Sequence, residues 1–175
     1  MKQFSNITKL FLVLFMLAIV SCTSENKTET SEAVTNSDKA PDFEVTTIDG
    51  EIISLEKSLE EGKPLVVYFT ASWCPTCAKN WPVLSEVYPE FEDELTLVAI
   101  SIDPTDTEEV MRNLAEEKNF AFPSTEGNPQ IMMDFGVAQQ ATTVGVDLDG
   151  NIVFKKTGQA LSAEEFRELF TGLLN

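Results

Sequence analysis

Leu65-Val-Val-Tyr-Phe-Thr70-Ala-Ser-Trp73-Cys74-Pro75-Thr76-Cys77-Ala-Lys-Asn80-Trp81-Pro82 carries the first firm reading of the chain. Leu65–Thr70 is a short, continuous apolar run, the pattern of a strand buried on both faces. After it, Trp81, Leu84, Tyr88 and Phe91 recur at spacings of three and four, so a helix turns one stripe to a core. Cys74 and Cys77 therefore lie where a buried strand gives way to a helix. A helix N-terminus offers unpaired N–H groups and the positive end of the macrodipole. Both favour a thiolate, and cysteines so placed have pKa values lowered from about 8.5 to roughly 3.5–7.5. This places Cys74 exposed at the helix mouth as the attacking thiolate. Cys77, one turn further in, is more shielded and resolves the mixed disulfide. Pro75 suits a first helical turn, where its missing N–H is not needed.

Working outward, Phe43–Ile48 and Glu51–Ser54 flank Asp49-Gly50, a hairpin signal. Leu95–Ile102 reads as a second buried strand. Asp106-Thr-Glu-Glu109 has the form of a capping box and opens a helix with Val110 and Leu114 inward. Asn128-Pro129 starts a short helix. Thr143–Leu148 and Asn151–Phe154 flank Asp149-Gly150, a second hairpin, and Ser162-Ala-Glu-Glu165 caps a helix with Phe166, Leu169, Phe170 and Leu173 inward. The order ββ, βαβ, helices, ββα implies an α/β layered fold with a mixed sheet.

At the N-terminus, Lys2 and Lys9 precede an unbroken apolar run of 11 residues, Leu10 to Val20. A spanning helix needs about 20, so the run reads as an export signal. It ends in Ile19-Val20-Ser21-Cys22, which resembles the lipobox of bacterial lipoproteins. That resemblance implies cleavage after residue 21 and acylation of Cys22. Three cysteines then leave one pair in the domain, Cys74 and Cys77. Residues 22–39 are polar and too poor in apolar side chains to fold, so they read as a tether of about 20–25 Å mean reach. The folded domain is expected over 40–175.

Twelve basic and 29 acidic residues give a net charge of −17, with no histidine. Such a surface repels nucleic acid. The missing histidine excludes His-ligated metal sites and Ser–His or Cys–His catalysis. A zinc site built on the two cysteines would need carboxylates or a second subunit, and no metal or other cofactor is expected beyond the cysteine pair. The acidic runs near Glu56–Glu61 and Glu108–Glu117 read as solvated faces.

Strand, Trp-Cys-x-x-Cys, helix, and a proline five residues after the second cysteine (Pro82) resemble the thioredoxin family. Ala40-Pro41-Asp42-Phe43, Gly62-Lys63-Pro64 and the helical insert from Asp106 resemble its membrane-tethered TlpA/ResA group, of AhpC/TSA-redoxin and cytochrome c maturation type. The resemblance, over about 40–174, implies a thioredoxin-like fold with an N-terminal β-hairpin. It also implies an extracytoplasmic, lipid-anchored thiol–disulfide oxidoreductase, acting chiefly as a reductase. Its partners would be protein clients bearing disulfides or thiols, together with a membrane or soluble thiol donor. Trp73, Thr76, Pro75 and Pro82 would support the site, Pro82 by kinking the helix. The net charge adds an expectation of basic or neutral clients.

Several departures qualify this. The family places a cis-proline beside the pair, and its pattern aligns that position with Ala141 in Val137-Ala-Gln-Gln-Ala141-Thr-Thr-Val144. A cis bond before alanine costs about 3–4 kcal/mol, so Gln140–Ala141 is expected trans, in an altered loop flanked by Gln140 and Thr142. Without the proline, metal or iron–sulfur capture between two subunits becomes an alternative, as does a redox-inactive module. Tyr68 stands where thioredoxin has a buried aspartate, and Asn80 where the ResA type has an acid. The acceptor of the Cys77 proton is left open among Asp103, Asp106 and Glu108. A peroxiredoxin-like thiol peroxidase is a further alternative, though Ala71 stands where that thiolate's threonine belongs. A Sco-type copper module would need a histidine.

Overall fold

The computed structural model describes residues 39–175. The expected signal segment, Cys22 and most of the expected tether lie outside the described residues. Among those described, no helix is long and apolar enough to cross a membrane.

Two short antiparallel strands, β1 (Glu44–Thr46) and β2 (Ile52–Ser54), form the expected hairpin, and α1 (Leu55–Glu60) follows directly. The main sheet has five strands: β3 (Leu65–Thr70), β4 (Thr96–Ser101), β5 (Ser124–Gly127), β6 (Thr142–Val146) and β7 (Ile152–Lys156). Their order is β5-β4-β3-β6-β7. β3, β4 and β5 run parallel, while β6 is antiparallel to β3 and β7 to β6. The sheet is thus mixed. The helices are α2 (Cys77–Val87), α3 (Glu108–Lys118), α4 (Pro129–Asp134) and α5 (Ala163–Leu173), with a 3₁₀ turn at Tyr88–Glu90.

The period-2 alternation of β3 builds two cores. Val66 and Tyr68 face a layer containing Cys77, Trp81 and Leu84 of α2 and Phe166 and Phe170 of α5. Leu65, Val67 and Phe69 face the other layer, with Val45, Ile53, Leu55, Ile131 and Phe135. Every β3 residue is buried, as a strand covered on both sides requires. Each fully buried aromatic contributes roughly 1.5–3 kcal/mol, so α5 is held on mainly by Phe166 and Phe170.

Three readings are corrected. β5 was not expected as a strand: Ser-Thr-Glu-Gly has no apolar signal, and its pairing with β4 is what makes it one. The cap of α3 is Thr107, whose hydroxyl accepts from the Val110 N–H, and not Asp106, which turns inward and is 2 % exposed. The register of α3 moves with it. Met111 is fully buried while Val110 is 39 % exposed, so Val110 does not face the core. The α5 capping box forms as expected, with Ser162 and Glu165 bonded reciprocally. Helix α2 ends at Val87, and Tyr88 and Phe91 continue its apolar stripe from the 3₁₀ turn and just beyond it.

The hairpin registers fix where things meet. Phe69 pairs with Thr142, so the start of β6 lies beside the C-terminal end of β3, where the cysteine loop begins. Leu65 pairs with Val146 at the other end, near the β6–β7 turn. There the Ala40 N–H donates to the Gly150 carbonyl (3.0 Å), and Lys39 bridges Asn151. The chain therefore enters the domain at the end of the sheet away from the cysteines.

Candidate active site

Cys74 and Cys77 are joined as a disulfide, with their Cα atoms 5.2 Å apart. Helix α2 starts at Cys77, so Cys74 sits one turn ahead of it. The approach is already helical: the Ala78 N–H donates to the Cys74 carbonyl (3.0 Å), and Thr76 is in the right-handed region with no side-chain cap. Pro75 occupies this turn at no hydrogen-bond cost. The Cys77 N–H, the first of the helix, donates to the Cys74 sulfur at 3.0 Å. That bond would strengthen were the sulfur a thiolate, so the helix terminus stabilises charge on Cys74.

Cys74 is only 2 % exposed, which corrects the expectation of an open sulfur. Its bond to the fully buried Cys77 draws it under, and both join a core cluster with Trp81 and Ala141. The exposed neighbours are Trp73, at 57 %, and Pro75. Pro82 lies inside α2, where its missing N–H leaves the Ala78 carbonyl without its helical donor.

The loop after β4 grips the segment before Cys74. Asp106 Oδ2 accepts from the Ser72 N–H (2.8 Å) and the Ser101 hydroxyl (2.5 Å), and Oδ1 from the Ser72 hydroxyl (2.6 Å). The Trp73 indole N–H donates to Asp103 (2.5 Å). Hydrogen bonds from the Thr105 backbone and hydroxyl, then from Trp73, hold the Asp103 carboxyl below its ordinary pKa. Gly127 backs this loop: its N–H donates to the Asp106 carbonyl (2.7 Å), and a Cβ there would collide with the Asp103 carbonyl. Glu108 pairs with Arg112 instead (2.6 Å). The three carboxylates left open by the sequence thus each have a partner; the two that clamp the cysteine segment, Asp103 on Trp73 and Asp106 on Ser72, reach residues 30 and 34 positions away, which no local pattern marks.

Tyr68 and Asn80, standing at the two positions where the resemblance places acids, are both fully buried and bonded to one another. Asn80 Nδ2 donates to the Tyr68 hydroxyl (3.2 Å) and to the Gln159 carbonyl (2.9 Å), and Asn80 Oδ1 accepts from the Leu161 N–H (2.9 Å). Burial pushes the Tyr68 phenol well above its ordinary pKa, only partly offset by the Asn80 bond, so it stays neutral. The Gln159 N–H in turn donates to the Ala141 carbonyl (3.2 Å).

Among the described residues no peptide bond is cis, so Gln140–Ala141 is trans as expected. Ala141 has φ +55°, the left-handed region, which costs a non-glycine residue roughly 1–2 kcal/mol. Thr142 is buried and its hydroxyl donates to the Gln139 carbonyl (2.8 Å), while Gln140 is half-buried beside it. Among the described residues no three Cys, Asp or Glu side chains gather to hold a metal ion.

A disulfide loop closed across two intervening residues and opening a helix, set at the C-terminal end of a buried central strand, defines a thioredoxin-like disulfide-exchange protein. Residues 37–159 match the AhpC/TSA family. The chain is 30 % identical to thiol-disulfide oxidoreductase ResA of Bacillus cereus over 122 residues, 69 % of each chain. It is 30 % identical to the thioredoxin-like protein YneN of Bacillus subtilis over 115 residues, 65 % of this chain and 66 % of that one. Among solved structures, a secreted Mycobacterium tuberculosis disulfide oxidoreductase homologous to DsbE superposes with TM-score 0.63 at 25 % identity, covering 75 % of this chain and 96 % of that one. The protein belongs to the AhpC/TSA family, in its ResA-like group, and is a thiol–disulfide oxidoreductase.

Proposed function

We propose that the protein works outside the cytosol as a dithiol reductant of protein disulfides, with Cys74 as nucleophile and Cys77 as resolving thiol. The Cys74 thiolate attacks one sulfur of a client disulfide, and the client's other sulfur leaves as a thiolate. Cys77 then attacks the Cys74 sulfur, its proton passing to the second departing client thiolate. Two electrons reach the client, and the Cys74–Cys77 disulfide remains, to be reduced by a membrane or soluble thiol donor. The observation that carries this is the Cys77 N–H directed at the Cys74 sulfur at the head of α2. No cofactor is required beyond the pair.

An extracytoplasmic location suits this chemistry, since disulfides persist outside the reducing cytosol, and one structural relative is described as secreted. Residues 1–21 would be removed, Cys22 would carry the lipid, and 22–39 would tether the domain 40–175 to a bacterial membrane, facing its extracytoplasmic (periplasmic) side. The test is redox titration of the full chain, read by the mass shift on alkylating Cys74 and Cys77. A reversible two-electron transition with a midpoint near or below about −250 mV supports the reductase. A midpoint near −120 mV reverses the direction, and the absence of any transition removes the exchange mechanism.

A further inference from the structure

We propose that Asp106 is a positioning residue for the exchange reaction: through Ser72 it holds the Cys74 sulfur within reach of Cys77 whenever no bond joins the two. This rests on the roles proposed above for Cys74 and Cys77. Two of the three donors to the Asp106 carboxylate are the N–H and the hydroxyl of Ser72, and the third is the Ser101 hydroxyl. Asp106 thereby gives up capping α3, the use its place before that helix suits, and Thr107 caps instead. A residue whose local preference yields to the tertiary fold is expected at a functional or strained site.

Residues 71–76 belong to neither β3 nor α2. On the helix side, the Cys74 carbonyl accepts from the Ala78 N–H. On the strand side, the Cys74 N–H donates to the Ala71 carbonyl (3.0 Å) and closes a turn over residues 71–74. Ser72 and Trp73 are the middle of that turn, and both are bonded to the loop between β4 and α3. The Trp73–Asp103 bond is exposed to water, whereas Asp106 is buried. Shielded bonds to a carboxylate make Asp106 the stronger anchor. Its own backbone is fixed on both sides: the N–H donates to the Asp103 carbonyl (2.9 Å), and the carbonyl accepts from the Gly127 N–H. None of these partners is a cysteine or part of α2, so opening the disulfide leaves the anchor in place.

The consequence falls on the states in which the disulfide is open. In the mixed disulfide, Cys77 bonds to the Cys74 sulfur as the bond from Cys74 to the client breaks, and the client sulfur departs with the Cys77 proton. That rate follows the effective concentration of Cys77 at Cys74. The same effective concentration sets how strongly the reduced pair closes, and so the midpoint potential. A loose 71–74 turn lowers both: the mixed disulfide lasts longer and the midpoint becomes less negative. A purely structural Asp106 would support the folded oxidised and reduced forms equally, and its loss would leave midpoint and lifetime unmoved.

The test uses the full-length protein with Asp106→Ala, Asp106→Asn and Ser72→Ala. Midpoints come from redox titration, and the lifetime of the mixed disulfide from acid-quenched mass spectrometry after mixing the reduced protein with a cystine peptide. Asp106→Ala should lower the effective concentration about tenfold, which moves the midpoint about 30 mV less negative and lengthens the mixed-disulfide lifetime in step. Ser72→Ala, which deletes one bond and keeps the N–H contact, should move both readings the same way by less. Asp106→Asn should recover most of both, because its amide oxygen still accepts from Ser72 and its NH2 can donate to the Ser72 hydroxyl. Should Asp106→Ala fail to fold, Ser72→Ala decides on the same two readings. An unmoved midpoint and lifetime, with oxidised and reduced forms equally weakened towards urea, overturns the inference while leaving exchange intact. So does Asp106→Asn proving as damaging as Asp106→Ala, since charge and not positioning would then be at work. No transition and no transfer in the native protein defeats the exchange reading, and the inference with it.

Discussion

Replacing Asn80 with alanine tests whether the cysteine helix is held by a polar bracket or merely by apolar packing. The side chain is fully buried and makes three bonds: to Tyr68, to Gln159 and from Leu161. Alanine leaves the buried Leu161 N–H without an acceptor, a loss of about 1–3 kcal/mol. Gln159 is exposed, so water replaces part of its lost partner, and Tyr68 loses one donor. The sum is about 2–4 kcal/mol, a large share of the roughly 5–15 kcal/mol that holds such a domain folded. Urea unfolding of the oxidised protein, followed by far-UV circular dichroism, should show the midpoint falling by about 1–2 M. Asn80→Asp sharpens the test. Its ionised form can accept from Leu161 but cannot donate to the Gln159 carbonyl, and burial disfavours its charge, so its folded pKa lies above the unfolded value of about 3.9. The folded state then holds the proton more tightly. Its stabilising effect is complete below the unfolded pKa and is lost as pH rises through the folded one. A loss below about 0.5 kcal/mol for the alanine variant, or a stability difference for the aspartate variant that does not vary with pH, refutes the bracket.

Gly127→Ala should destabilise by about 1–3 kcal/mol, because its Cβ meets the Asp103 backbone carbonyl rather than a flexible side chain; displacing that loop should also change Trp73 fluorescence. Met111→Ala should cost about 2–5 kcal/mol and Val110→Ala within about 0.5, by thermal or urea unfolding, and the reverse order would restore the register read from the sequence. Glu90, Asp103 and Glu165 have depressed pKa values: Glu90 through its bonds from Arg167, Asp103 chiefly through Thr105, Glu165 through Ser162. Their stabilisation is present above the ordinary carboxylate range and is lost as pH falls through their lowered values. Acid unfolding should therefore begin below about pH 4.5, and Glu165→Gln should flatten that limb.

What could be read in the sequence is what chain neighbours specify. β3 announces itself because a strand covered on both faces must be apolar throughout, and α5 because Ser162 and Glu165 supply its cap three residues apart. β5 could not be read, since Ser124–Gly127 becomes a strand through pairing with β4. The cap of α3 was read one residue early because both Asp106 and Thr107 can cap. Only the tertiary fold, which offers Asp106 the donors of Ser72 and Ser101, decides between them. At the site, the cysteine pair and its helix were legible from spacing alone. The bracket through Asn80 depends on segments about 80 residues apart, and the burial of Cys74 on a cluster that includes Ala141; no local pattern encodes those.

Ala141 is where local preference and fold disagree most openly. Its φ of +55° lies about 120° from the −65° that proline fixes, so proline does not fit the conformation this chain has adopted. Its methyl is 1 % exposed in the cluster with both cysteines, and its carbonyl accepts from Gln159. Ala141→Gly removes a left-handed penalty of roughly 1–2 kcal/mol. It also gives up a buried methyl worth about 0.8 kcal/mol and adds about 0.5–1 kcal/mol of unfolded-state entropy, so its stability should stay within about 1 kcal/mol of the native chain. Ala141→Pro must swing the backbone, break the Gln159 bond and reopen the wall beside the disulfide. Unfolding measurements should rank it clearly below both. A proline variant more stable than the native protein would mean that the loop readily takes another path, and that the left-handed alanine is no fixed part of the wall around the disulfide.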